Sequence, residues 1–317
     1  MSGLIGALVL VGGLALIVWG AERFTDGALR AASRFAVSAF YVGAVVSGFE
    51  PENLVTGAAA AVAHLPQIAL GTVIGSAVFL LTAALGLTLL LVPLPVAAPR
   101  AGPIAMLIIV ALSAGAIWAD GAVTRTEGSL LVLAALGLMT WLYRRSVVFR
   151  PKTEAERGAR AREGPTAAGK VVGLLVAGTG AMLLGAELVV WGARSLISVA
   201  GLSETFLGMV VIGAGESLKE TARMVTPARR GHPELAWGNV VGTVLVLLGF
   251  NLGVLAMIRP LTADPLVLRF HLPYLIGCAA IVAATLLWAR TPGRGLGALL
   301  IALYGAYIAA NLFFMRG

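Results

Sequence analysis

The sequence predicts an all-α membrane protein, with ten transmembrane helices arranged as two inverted five-helix repeats. Three observations predict it. Of 317 residues, 59% are hydrophobic and only 12% charged, half the charged share of about 25% in a typical soluble domain. The apolar residues gather in ten runs, each close to the roughly 20 residues a helix needs to cross a bilayer. A stretch of the first half, apolar but punctuated by charge, also recurs in the second half.

Taken in order, the runs lie near 2–20, 36–63, 67–92, 102–119 and 128–144, then 170–192, 204–226, 235–258, 270–289 and 295–314. The first, Leu4 to Val18, leads into Trp19-Gly20-Ala21-Glu22 without a basic leading region or a small-residue cleavage pattern. It is therefore expected to remain as a helix. His64 and His232 stand next to Pro66 and Pro233 and read as residues of connecting turns. The tryptophans fall mostly near run ends, as interfacial residues do. Between the fifth and sixth runs, PKTEAERGARAREGP is charged and poor in large apolar side chains, so it cannot bury a core and reads as a solvated connector. The expected organisation is a first five-helix repeat over 1–144, a basic cytoplasmic linker over 145–169 and a second repeat over 170–317. The single cysteine, Cys278, excludes an internal disulfide.

Charge sets the orientation. With the N-terminus outside, the cytoplasmic side holds Arg23, Arg30, Arg34, Arg100, eight cations in or beside the linker (Arg144 to Lys170), Arg229, Arg230, Arg290 and Arg294, sixteen in all. The outer side holds five, namely Arg125, Arg194, Arg259, Arg269 and Arg316. Without the linker the split is still eight against five, in the sense the positive-inside rule requires. Both termini are expected outside a prokaryotic plasma membrane. The net charge of +8 serves this topology. No basic stripe interleaves with aromatics, so no nucleic-acid partner is expected.

The repeat is internal. Gly71-Thr-Val-Ile-Gly-Ser76 matches Gly238-Asn-Val-Val-Gly-Thr243, an offset of 238 − 71 = 167 that also aligns Pro66 with Pro233. The same offset lays Gly48-Phe-Glu-Pro-Glu-Asn53 on Gly215-Glu-Ser-Leu-Lys-Glu220. Upstream, Gly20-Ala-Glu22 matches Gly185-Ala-Glu187 and Gly43 matches Gly208 at 165. Five runs per copy, an odd number, make the two copies enter the membrane in opposite senses, the plan of many secondary transporters. Glycine spacing alone would suit helix packing. Carboxylates at membrane depth in both copies point to an ion pathway.

The two copies resemble the α-repeats of the cation/calcium exchanger superfamily, the sodium/calcium antiporters. Those repeats read approximately G-T-S-x-P-E-L-x-T-S, followed by G-N-x-x-G-S-N. The second copy fits well, with Gly215-Glu-Ser217-Leu-Lys-Glu220 and then Gly238-Asn239-Val-Val-Gly242-Thr243. The first is looser, with Gly48-Phe-Glu50-Pro-Glu-Asn53-Leu54-Val-Thr56 and then Gly71-Thr-Val-Ile-Gly75-Ser76. The resemblance covers nearly the whole chain. It implies that the family's two key glutamates fall on Asn53 and Glu220. Neighbouring ligand positions fall on Phe49, Glu50, Glu216 and Ser217, and on Ser76 and Thr243 of the following helices. The family's acidic or amide position four residues later is Leu80 and Leu247 here, and its G-S-N asparagine is Ala77 and Val244.

The residue chemistry is compatible. Ca2+ and Na+ are hard cations that take carboxylate, carbonyl and hydroxyl oxygens. Motif glycines permit broken helices whose carbonyls could complete the shell. Glu50 and Asn53, three apart, share a helical face, and Glu216 and Glu220, four apart, share another. The carboxylate lost at Asn53 thus reappears at Glu50. Lys219, whose repeat counterpart is Glu52, and Arg223 complicate the set. In one reading they face away or snorkel to an interface, pairing with Glu52. In the other, one of them stands where a bound cation would, and the protein carries fewer ions or couples to protons. The first is preferred. Glu22 and Glu187 read as interfacial or capping residues, and Asp26 has Trp191 as its counterpart. Gly213-Ala-Gly215-Glu lacks the ending of a phosphate loop.

The expected function is Na+/Ca2+ antiport by alternating access. The expected site is Glu50, Asn53, Ser76, Glu216, Ser217, Glu220 and Thr243, with Glu52, Lys219 and Arg223 as modulators. No cofactor is expected, since the cations are substrates and the partners are those ions and the bilayer. A proton-coupled exchanger of the same superfamily is the alternative. A transport-dead sensor or scaffold, motivated by Leu80 and Leu247, and an intramembrane enzyme are more remote.

Overall fold

The computed structural model describes residues 3–35, 37–48, 51–62, 64, 66–148, 168–200, 213–289 and 291–314. They are overwhelmingly helical. Seven helices among them are long and apolar enough to cross a membrane, at Ile5–Arg34, Ala69–Leu91, Ala101–Asp120, Arg125–Arg145, Ala168–Val189, Pro233–Ile258 and Val267–Trp288. The expected runs 36–63, 204–226 and 295–314 are not among these seven, although Arg294–Phe314 is helical throughout. The chain forms two compact units, Met1–Ala36 with Lys152–His232, and Val37–Pro151 with Pro233–Gly317. Each draws on both halves of the sequence.

The first unit contains α1 (Gly3–Arg34), α8 (Ala168–Ala200) and α9 (Gly213–Arg229). Glycines recur every seven residues on α1 (Gly6, Gly13, Gly20, Gly27) and on α8 (Gly178, Gly185, Gly192). A Cβ at Gly13 would lie 2.7 Å from the Gly185 carbonyl oxygen, one at Gly20 2.7 Å from that of Gly178, and one at Gly192 2.7 Å from that of Gly6. Rising partners on one helix meet falling partners on the other, so the two run antiparallel with their backbones in contact. In lipid, where helix association relies on close packing, small residues make such an approach possible. Exposed apolar side chains such as Leu8, Val11, Val172 and Val176 cover the outward faces. Glu22 and Glu187 are exposed, in keeping with interfacial roles, and Asp26 pairs with Arg230 at 2.5 Å.

The second unit holds the remaining elements. Helix α2 (Ala39–Val42) runs into a π turn (Gly43–Ser47), and α3 spans Pro51–Val62. Helix α4 (Pro66–Phe79) passes through a π turn (Leu80–Ala84) into α5 (Leu85–Leu91). Next come α6 (Ala101–Asp120), β1 (Ala122–Val123) and α7 (Arg125–Val148). After the first unit's α8 and α9, α10 (Pro233–Leu245) passes through a π turn (Val246–Asn251) into α11 (Leu252–Ile258). The chain ends with β2 (Leu261–Thr262), a π turn (Val267–His271), α12 (Leu272–Trp288) and α13 (Arg294–Phe314). Proline opens α3, α4 and α10, where its missing N–H leaves no bond unmade. The α4–α5 and α10–α11 runs are largely buried, whereas α7 turns Leu130, Leu133 and Leu136 outward.

Two contacts fix the interior of this unit. A Cβ on Gly238 would collide with the Phe40 carbonyl oxygen, and one on Gly242 with that of Ala44. The second copy's Gly-Asn-x-x-Gly motif therefore seats the π turn that leads into the first copy's polar motif. At one end, β1 pairs antiparallel with β2, Ala122 opposite Thr262 and Val123 opposite Leu261. Gln67 Nε2 donates to the Thr262 carbonyl at 2.9 Å, and His64 Nε2 lies 2.8 Å from Arg259 Nη1. His64, with φ 66°, and His232, in the turn closed by its N–H donating to the Pro227 carbonyl at 2.9 Å, are turn residues as expected.

Candidate ion-binding site

The expected site residues divide between the two units. In the second, Asn53 lies in the first half of α3 and is 6% exposed. Its Oδ1 accepts a hydrogen bond from Ser76 Oγ of α4 at 3.3 Å. Asparagine and hydroxyl 23 residues apart are thus brought together. Thr243 on α10 is 1% exposed, and its Oγ1 has no hydrogen-bond partner. Asn239, one turn earlier, is fully buried. An unmet buried hydroxyl costs on the order of 1–3 kcal/mol, so a group of this kind is a candidate for a further ligand. Leu80 and Leu247 lie buried within the π turns of the two copies. Single π turns recur at functional sites because they re-aim a helix face. Glu50 lies outside the described residues, as does the side chain of Glu52.

In the first unit, α9 carries the second copy's acidic motif. Glu216 and Ser217 are helical, with side chains outside the described set. Lys219, Glu220, Thr221 and Arg223 are all buried, at 2%, 4%, 5% and 3% exposure. Arg223 Nη1 donates to Glu220 Oε1 at 2.8 Å, and its guanidinium lies 6.0 Å from the ring centre of Phe24 on α1. For Arg223 the preferred expectation, that it faces away or snorkels, is therefore corrected. Arg223 turns inward because i,i+3 spacing sets it on the face of Glu220, and a carboxylate so far from water requires a partner. Lys219 is equally withdrawn from solvent.

One polar residue escaped the sequence reading. Asn251, at the end of the second π turn, is 1% exposed, and among the described residues neither its Oδ1 nor its Nδ2 has a hydrogen-bond partner. It is the sole side-chain amide between Val244 and Ile258, a signal that was available. Its repeat counterpart is Ala84, and it lies outside the repeated motif.

Comparison with known proteins identifies the family. The family described as "Sodium/calcium exchanger protein" matches residues 5–144 and 170–313, leaving the linker region between its two parts. The chain is 28% identical over 314 residues to the inner membrane protein YrbG of Escherichia coli, covering 96% of each chain. It is 30% identical to the putative antiporter CaxA of Alkalimonas amylolytica, over 82% of this chain and 83% of that one. In fold it is similar to the sodium-calcium exchanger NCX_Mj soaked with zero Na+ and Ca2+, with TM-score 0.81, 24% identity, and 97% of this chain and 99% of that chain covered. On this match over nearly all of its length, the chain belongs to the sodium/calcium exchanger family, integral membrane exchangers of inorganic cations.

Proposed function

We propose that the protein is a secondary active antiporter that exchanges Na+ for Ca2+ by alternating access. The observation that carries this reading is Glu220. It is a carboxylate 4% exposed on a helix of the repeated motif, with a guanidinium against it. Charges held at membrane depth are costly and mark ion pathways.

In this proposal Glu50, Asn53 and Ser76 of the first copy and Glu216, Ser217, Glu220 and Thr243 of the second supply the oxygens. Glu52, Lys219 and Arg223 modulate them. Exchange follows because the same oxygens serve either ion, so occupancy by one excludes the other. Ten transmembrane helices form two inverted repeats, 1–144 and 170–317, about the cytoplasmic linker 145–169. Both termini lie outside the plasma membrane of a prokaryote. Inverted copies give a fold two related conformations that open to opposite sides.

The Arg223–Glu220 pair favours a second reading, proton coupling. A tethered guanidinium takes up negative charge that would otherwise hold a metal ion, so fewer cations are carried per cycle. Uptake of radiolabelled Ca2+ into proteoliposomes under an imposed Na+ gradient, then under an imposed pH gradient, separates the two. Accumulation only under the Na+ gradient supports Na+/Ca2+ exchange, and accumulation only under the pH gradient supports proton coupling. Uptake under neither gradient, or uptake indifferent to Glu220→Gln, refutes the proposal.

A further inference from the structure

Three helices of the second unit are in register around Asn53. On α4, which runs antiparallel to α3, Thr72 faces Gly57, since a Cβ there would lie 3.1 Å from Thr72 Oγ1. One turn further on, Ser76 bonds Asn53 at 3.3 Å. The α10–α11 run has the opposite relation. The turn after α3 and the end of α11 meet at His64 and Arg259, 2.8 Å apart. Further back along both helices, a Cβ on Gly57 would lie 2.6 Å from Leu255 Cδ1. Helices α3 and α11 are therefore parallel and in contact at Gly57 and Leu255. Four residues back on each, one helical turn of about 5.4 Å, stand Asn53 and Asn251. Both positions share the face of the contact residue above them. Asn251 has helical backbone angles, φ −65° and ψ −53°, so the step to Leu255 is an ordinary turn.

We infer that Asn251 is a further coordinating side chain for the transported cation, acting at the level of the Asn53–Ser76 pair. The inference rests on the antiporter reading. Three facts converge on it. The side chain is 1% exposed, and both of its polar atoms lack hydrogen-bond partners among the described residues. A carboxamide oxygen is a ligand that hard cations accept. Asn251 closes the π turn Val246–Asn251 one helical turn after the buried Leu247, and its amide is the one polar side chain of that turn.

The test compares wild type, Asn251→Leu and Asn251→Asp for cation-dependent thermal stability in detergent and for half-saturation of Ca2+ uptake in proteoliposomes. Asn251→Leu is expected to keep or raise the melting temperature without ions, because no hydrogen bond is lost. Its half-saturating Ca2+ concentration should rise by about ten-fold, the scale of one lost ligand contact. Asn251→Asp, which keeps the size and adds charge, should lower that concentration. Unchanged half-saturation in either variant, with an active wild type, overturns the role of Asn251 and leaves the antiporter reading standing. A wild type with neither uptake nor ion-dependent stabilisation overturns both.

Discussion

Arg223 and Glu220 stand three residues apart on one buried helical face, with a guanidinium nitrogen 2.8 Å from a carboxylate oxygen. In the proposed antiport the pair makes Glu220 a contested ligand. A cation that needs this carboxylate must compete with a positive charge built into the same helix.

Arg223→Gln tests the competition. Without added ions the variant should be less stable, because the buried Glu220 carboxylate loses its guanidinium partner. Added Ca2+ or Na+ should then stabilise it more than wild type, because binding energy adds to the native state alone. Thermal melts across a cation titration read both effects. A variant that responds to cations no more strongly than wild type would show that Arg223 does not compete.

Glu220→Gln should abolish cation-dependent stabilisation and gradient-driven uptake. The double variant Glu220→Gln with Arg223→Gln should recover stability relative to either single change, with a coupling of roughly 0.5–3 kcal/mol, and still not transport. A double-mutant cycle by denaturation measures the coupling, and recovery of transport would remove Glu220 from the site.

On the other half of the motif, Asn53→Asp restores a carboxylate to the family's position. It is expected to lower the half-saturating Ca2+ concentration relative to that for Na+, since a divalent ion gains more from an added negative charge. Ser76→Ala removes the 3.3 Å hydrogen bond to Asn53 and should weaken cation binding about five-fold, equivalent to about 1 kcal/mol. Competition between the two ions in an uptake assay reports each change.

Gly242→Ala should prevent accumulation of folded protein, because the new methyl group would meet the Ala44 carbonyl oxygen. Such overpacking costs about 1–3 kcal/mol or more. Gly180→Ala, with nothing within 4 Å of the added carbon, should be neutral. Size-exclusion profiles of the two variants in detergent make the comparison.

Much of this was legible in the sequence. Apolar length placed most helices, and the repeat offset paired Ser76 with Thr243 and Asn53 with Glu220. Glu220, Asn53 and Thr243, singled out by the motif, are all buried. Sequence spacing could not decide where Arg223 points, because i,i+3 and i,i+4 neighbours are equally available on a helix and the outcome depends on what else is buried. Nor could it place Asn251. That residue acquires neighbours through a parallel contact between α3 and α11, helices almost 200 residues apart in sequence, and through a π turn that no local pattern announced.

The seven-residue glycine spacing on α1 and α8 carries a genetic consequence. Saturation mutagenesis should print it as a comb, with teeth of intolerance at Gly13, Gly20, Gly178, Gly185 and Gly192, where even alanine is too large. Between the teeth, positions such as Leu8, Val11 and Val176, which are 64%, 61% and 65% exposed, should accept any side chain that lipid accepts. Selection on these two helices acts chiefly through the absence of atoms.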